Sequence, residues 1–266
     1  SEKAFSIMKE IYHPLYINDT PMMHTSVVTA EMIKYASNAF LALKISYINE
    51  IANLCEAVGG DVHEVAKAMG QDGRISSKFL HPGPGYGGSC FPKDAPALTA
   101  VADANGQEIR TIKAAISANE AQKRRMVDKL LKLMNGSLRG KTIAVLGLSF
   151  KPNTNDIRES PAIEMIQAIL NEMGTVRAFD PVSNESMQTI YPDINYYTSW
   201  EEAVYKADCA VIMTEWNEFR SMDLGVLKNQ LIAPVLLDTR NVLNMNELQK
   251  LGFTFDNVGR LKPSDS

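Results

Sequence analysis

The sequence of 266 residues has only three cysteines, at positions 55, 90 and 209. They have no metal-ligand spacing and cannot all pair, which argues against a disulfide framework and for free thiols in a reducing compartment. Its four histidines, at 13, 24, 63 and 81, are scattered, and no metal site is proposed. No stretch approaches ~18 uninterrupted apolar residues, so no membrane-spanning helix is expected. The opening SEKAFSIMKE has no apolar run of the signal-peptide kind, and a cytoplasmic location is expected. Charge of one sign is also missing: 27 Lys and Arg face 31 Asp and Glu, a net charge of −4. That balance leaves no basic footprint for nucleic acid or an anionic membrane. There are no internal repeats or low-complexity segments. What is present, 45% hydrophobic and 22% charged residues, is enough to bury a core in one large or two small domains.

Hydrophobic periodicity divides the chain. Ala4, Phe5, Met8, Ile11 and Tyr12 share one face of a short helix that His13-Pro14 closes. From Thr29 to Val58 the apolar residues Met32, Ile33, Ala36, Phe40, Leu43, Tyr47 and Ile51 keep the helical period until Gly59-Gly60. At ~1.5 Å per residue this rod is about 45 Å long, and such a length asks for a domain boundary or a partner. A helix over Asp61–Met69 follows, with Asp61 as N-cap. The turn-rich loop HPGPGYGG leads into Ser89-Cys90-Phe91-Pro92-Lys93-Asp94, and helical patterning resumes over 95–104 and 107–134. After Asn135-Gly136 strands alternate with helices. Thr142–Leu146, Thr175–Phe179, Cys209–Thr214 and Val235–Asp238 read as strands, with helices over 160–173 and 199–206. That alternation predicts βαβ units and a parallel sheet. The tail from Lys262 is expected to fray.

Open parallel sheets bind ligands beyond the carboxyl ends of their strands. The first strand runs into Gly147-Leu148-Ser149-Phe150-Lys151 and on to Arg158-Glu159-Ser160. A full GxGxxG signature is missing, so this stretch reads either as a nucleotide loop or as an ordinary βα turn. Lys151, Arg158 and Arg240, all on strand-end loops, favour an anionic ligand. Lys34 and Asn38 share one face of the long helix, and taken alone Lys34 reads as a surface lysine. Cys90 follows two glycines that permit close approach of a ligand. A helix beginning near Ser89 would favour its thiolate, as would Lys93, and Asp94 is placed to position a water or accept a proton. The other reading of Cys90 is a small buried residue in a loop. Cys55 and Cys209 fall in apolar helix and strand patterns and read as inert.

The segments AEMIKYASNAFLALKISYINEIANLCEAVG (30–59), GQDGRISSKFL with GPGYGGSCFPKD (70–94), LGLSFKPNTNDIRESPAI (146–163) and DTRNVL (238–243) together resemble the UDP-glucose/GDP-mannose dehydrogenase family, in its UDP-glucose 6-dehydrogenase branch. The resemblance runs through nearly all of 28–260. It implies an all-helical central dimerisation domain with a long helix (28–134), then a doubly wound, Rossmann-like parallel-sheet domain that binds UDP-sugar (135–266). The activity implied is a four-electron, NAD-dependent oxidation of UDP-glucose to UDP-glucuronate. In it Cys90 is the nucleophile, passing through a thiohemiacetal and a thioester; Lys34 and Asn38 hold the oxyanion, and Asp94 serves the water step. The resemblance further implies that Phe79, Leu80, Tyr86 and Gly87 face Phe150, Lys151 and Arg240 across the substrate. Arg74 would reach a neighbouring subunit's pocket in a homodimer formed through helix 29–58, and Arg158 would approach the NAD pyrophosphate. His81 stands where some relatives carry lysine. The family's amino-terminal dinucleotide domain has no counterpart here, and residues 1–27 are expected to be its exit. The 266 residues alone are therefore expected to bind UDP-sugar without turnover. Oxidation of UDP-N-acetylhexosamine or GDP-mannose, and a non-catalytic nucleotide-sugar module, remain alternatives.

Overall fold

A computed structural model describes residues 1–15 and 22–261. The expectations for the tail from Lys262, and for part of segment 1–27, lie outside the described residues. The chain forms two compact units, one from Ser1 to Ser37 and the other from Asn38 onward.

In the first unit, α1 (Glu2–Tyr12) is capped by Ser1, and a 3₁₀ turn over His13–Leu15 follows it. Phe5 stacks on His24 at 4.9 Å. α2 (Val27–Val58) begins here, two residues before the expected Thr29, because the Ser26 hydroxyl accepts from the Thr29 amide at 3.1 Å. The boundary between the units falls within this helix.

The second unit takes up the remainder of α2, then α3 (Val62–Gly70), α4 (Phe91–Ala104) and α5 (Arg110–Leu133). Asp61 caps α3 as expected, accepting from the His63 amide at 2.8 Å. α4 departs from expectation by starting at Phe91 instead of Ala95. Pro92 lies in the first turn, where no amide donor is needed. The earlier start makes Cys90 the N-cap and puts Asp94 in the first turn, its amide bonded to the Cys90 carbonyl at 2.7 Å.

Six parallel strands follow: β1 (Thr142–Leu146), β2 (Thr175–Phe179), β3 (Asn195–Tyr196), β4 (Cys209–Ile212), β5 (Val235–Asp238) and β6 (Thr254–Asp256). Their order, β3-β2-β1-β4-β5-β6, is that of a doubly wound sheet, with Leu146 of β1 opposite both Phe179 and Ile212. The sheet was legible except for β3 and β6, edge strands of two and three residues. The connecting helices are α6 (Pro161–Asn171), α7 (Asn184–Gln188), α8 (Trp200–Val204), α9 (Asn217–Arg220), α10 (Leu224–Gln230) and α11 (Met245–Lys250). One sheet face packs with α5 and α6 in a core that continues through Met126 and Leu130 to Ile48 and Ala52 of α2. The other face packs on Trp200, Phe219, Leu227 and Leu248. Among the described residues no helix is long and apolar enough to cross a membrane.

Glu56 ties α2 to α5 and to the chain after β6. It accepts from Arg125 at 2.6 Å, Lys129 at 2.9 Å and the Gly259 amide at 2.8 Å. Burial pushes its carboxyl up, but these donors outweigh burial and hold it below the usual carboxylate range. A depressed value means that the stabilisation is present above the ordinary range and is lost as pH falls from there through the lowered value. Glu56→Gln is expected to cost about 1–3 kcal/mol at pH 7, with the gap to the parent narrowing only as pH falls below the ordinary carboxylate range. Urea midpoints across that range check it; a gap independent of pH contradicts it.

Candidate active site at the strand ends

The order of strands reverses between β1 and β4, and ligands of open parallel sheets enter the crevice beyond such a point. Phe150 and Lys151 follow β1, Glu215 follows β4, and Arg240 follows β5. Asp238, buried at the end of β5, folds the last loop by accepting from the Arg240 amide at 3.1 Å and the Leu243 amide at 2.9 Å. The Arg240 guanidinium is then fixed: Nε donates to the Met213 carbonyl at 2.7 Å and lies 3.2 Å from Glu215 Oε2, and Nη2 donates to the Phe150 carbonyl at 3.3 Å.

These loops form one wall of a cavity of about 410 Å³, a size suited to a small organic ligand. The helical part supplies the facing wall, with Ile45 of α2, Phe91 of α4, Phe79, and His81, Tyr86 and Gly87 from the turn-rich loop. Three buried amide side chains hold that loop in place. Asn49 accepts from the Gly83 amide at 2.8 Å, and Gln122 donates to the Gly83 carbonyl at 2.8 Å. Asn119 accepts from the Tyr86 amide at 2.8 Å and donates to its carbonyl at 3.2 Å. A β-carbon at Gly87 would lie 2.2 Å from the Glu159 carbonyl oxygen. Gly88 has φ +84° and donates to the Arg158 carbonyl at 2.7 Å. Only glycine allows the loop to lie this close to the segment before α6. Burial, with Glu120 nearby, pushes the Tyr86 phenol up to about 12, so it remains a neutral hydroxyl at the cavity wall.

Cys90 stands beside this wall, one residue before Phe91. Its thiol is exposed, whereas Cys55 and Cys209 are buried, so the reading of Cys90 as a buried loop residue does not hold. As N-cap it lies at the end of α4 where unpaired amides and the helix dipole favour negative charge. The Arg158 guanidinium is engaged with Asp156, at 2.6 and 2.8 Å. Asp94 is buried and accepts from Asn38 Nδ2 at 2.6 Å. The structure therefore joins Asn38, Cys90 and Asp94 through α2 and the first turn of α4. Lys34 belongs to the first unit.

Of the other residues proposed from the sequence, Leu80 is buried behind the cavity wall and is not part of its lining. Arg74 is largely exposed and bidentate with Asp72, at 2.6 and 3.0 Å. Lys78, Glu215 and Ile45 line the cavity and were not singled out. Glu215 could have been found by extending the strand-end rule to β4. Ile45 could have been found from its place two turns along the helix from Asn38.

The β1 loop itself does not fit a dinucleotide. In folds that hold a pyrophosphate there, free backbone amides receive it. Here the amides of Leu148 and Ser149 donate to Asp180 Oδ2 at 2.7 and 3.1 Å, and the Ser149 hydroxyl and Trp216 Nε1 reach the same oxygen. A protein carboxylate already engages these amides.

A model of the UDP-glucose/GDP-mannose dehydrogenase family, central domain, matches residues 28–121, and that family's UDP binding domain matches 144–245. The chain is 46% identical over 258 residues to UDP-glucose 6-dehydrogenase of Rhizobium meliloti (strain 1021), covering 97% of this chain and 59% of that protein. It is 45% identical to UDP-glucose 6-dehydrogenase TuaD of Bacillus subtilis (strain 168), covering 100% of this chain and 58% of that one. The structure of a UDP-glucose dehydrogenase from the hyperthermophilic archaeon Pyrobaculum islandicum superposes with a TM-score of 0.85 at 32% identity, over 99% of this chain and 57% of that one. The chain thus spans under three fifths of the length of each of these relatives. With both family models matched in order along it, the chain belongs to the UDP-glucose/GDP-mannose dehydrogenase family.

Proposed function

We propose that this chain is the substrate-binding and thiol-bearing part of an NAD-dependent UDP-glucose 6-dehydrogenase, with a helical domain over 28–134 and a UDP-sugar domain over 135–266. The observation that carries this reading is the cavity itself. Two of its cations, Lys151 and Arg240, come from strand ends, and its opposite wall adjoins an exposed cysteine at a helix N-terminus.

Lys151 and Arg240 pair with the diphosphate, while the aromatic walls and the Gly87 backbone enclose the rest of the nucleotide sugar. The Cys90 thiolate adds to the C6 aldehyde, forming the C–S bond as the carbonyl electron pair moves to oxygen. That oxyanion is held by the Asn38 amide. At the thioester stage, water positioned by Asp94 adds to the acyl carbon, the C–S bond breaks and Cys90 leaves as thiolate. The result is the uronate. NAD⁺ when bound accepts the hydrides lost from C6; the β1 loop of this chain does not hold it, and binding without turnover is the expectation for these residues alone. Phe40, Tyr47 and Leu54, two turns apart on α2, form an exposed apolar stripe that supports a homodimer through this helix, with Arg74 turned outward toward the neighbouring subunit's pocket.

Titration of Arg240→Ala tests the diphosphate assignment. Loss of a charge-assisted contact worth about 1.5–3 kcal/mol weakens binding roughly 10- to 150-fold. Because the contact is to phosphate, UDP and UDP-glucose must suffer alike. Unchanged affinity, or a loss confined to UDP-glucose, would overturn the assignment.

A further inference from the structure

Lys44, half-buried on α2, sends its ammonium to a single loop. It donates to the carbonyls of Ile75 at 2.9 Å, Ser76 at 3.1 Å and Lys78 at 2.5 Å. An ammonium has three N–H donors, so this loop takes all of them. The loop needs such a cation. Ser76 and Phe79 adopt φ +64° and +65°, in the left-handed region that residues with a β-carbon seldom occupy. That path turns three carbonyl oxygens toward one point, where they repel one another unless positive charge lies among them. The inner side of the loop is packed as well, since a β-carbon on Gly70 would come within 2.8 Å of Ser77.

The same loop serves the cavity. Lys78 and Phe79 line it, and Phe79 meets Phe91 edge-on at 6.2 Å, immediately after Cys90. At the loop's start Asp72 accepts from the Ile75 and Ser76 amides through its carbonyl, while its carboxylate holds Arg74. We infer that Lys44 is a positioning residue: its ammonium holds loop 75–79 in the strained shape that presents Phe79 and Lys78 to the ligand. The inference rests on the reading of the cavity as the UDP-sugar pocket. It also ties the pocket to α2, because Lys44 lies between Phe40 and Tyr47 of the exposed stripe on that helix. A change along the helix face can therefore be felt at the cavity wall through one side chain.

Lys44→Met keeps the aliphatic stem and removes the cation, and Lys44→Arg restores a cation. Two readouts are taken: hydrogen exchange of amides 75–80 without ligand, and affinity for UDP-glucose. In Lys44→Met, exchange in this segment alone is expected to quicken at least about tenfold. Affinity is expected to fall about tenfold, as for a ligand that meets its competent loop roughly a tenth of the time. Lys44→Arg is expected to bring both back to within about threefold of the parent. Unchanged exchange and affinity in Lys44→Met would overturn the inference. So would faster exchange throughout the chain with a lowered melting temperature that Lys44→Arg does not repair, which would make Lys44 a stability element only. Failure of the parent chain to bind UDP-glucose would overturn the pocket assignment, while the ligand-free exchange still decides whether Lys44 holds the loop.

Discussion

Gly87→Ala is expected to abolish UDP-glucose binding, weakening it more than about a hundredfold, and to lower stability by roughly 1–3 kcal/mol. The added methyl would lie 2.2 Å from the Glu159 carbonyl oxygen and 2.8 Å from its carbon, and neither is the free end of a flexible side chain. Relief requires the loop and the segment before α6 to separate. The loop, however, is held from behind by Asn49, Asn119 and Gln122, so separation breaks buried hydrogen bonds as well. Gly87 and Phe150 line the same cavity from opposite sides, and widening this seam changes the space between them. Gly73→Ala is the control: nothing lies within 4 Å of its would-be β-carbon, and both affinity and melting temperature should stay at the parent values. Titration and thermal melting of the two variants decide the matter. Parent-like binding by Gly87→Ala would mean that the seam is not a wall of the ligand site.

Iodoacetamide near neutral pH is expected to modify Cys90 at least about a hundredfold faster than Cys55 or Cys209. Cys90 is exposed at the N-terminus of a helix of 14 residues. Cys55 is packed in the core shared by α2 and the sheet. Cys209 is fully buried on β4, and burial pushes its thiol up, so both buried thiols react only after local opening. Peptide mass spectrometry over a time course gives all three rates from one sample. UDP-glucose, seated beside Phe91, should slow the reaction at Cys90 alone. Equal sluggishness at all three cysteines would favour a nucleotide-sugar-binding module whose cysteine has no chemical role.

The sheet was readable where strands of four or five mainly apolar residues alternate with helices. Thr142–Leu146, Thr175–Phe179 and Val235–Asp238 match the observed strands residue for residue. Asn195–Tyr196 and Thr254–Asp256 escaped because edge strands this short are set by pairing with β2 and β5 and by no pattern of their own. α4 starts four residues before the expected Ala95 because Pro92 fits the first turn of a helix, where no amide donor is needed. At the site, Cys90, its glycines and the strand-end cations stood out as local motifs. The groups that hold them did not. Asn49, Asn119 and Gln122 are polar residues in helical sequence, and only the tertiary fold turns them inward to a loop more than thirty positions away. Lys44 has the pattern of a solvent-facing helix lysine until three distant carbonyls are seen around it. Asp180 follows β2 in the chain, and only the fold brings it to the Leu148 and Ser149 amides of the β1 loop.

On the function proposed above, the strand-end cavity takes a UDP-sugar and the β1 loop takes no dinucleotide. Calorimetric titration of the 266-residue chain with UDP-glucose, and separately with NAD⁺, tests both halves. Saturable binding of UDP-glucose without NAD⁺, displaced by UDP, is expected, with no binding heat from NAD⁺ alone. Tight binding of NAD⁺ with no response to UDP-glucose would contradict it, and would mean that Lys151 and Arg240 serve a different nucleotide.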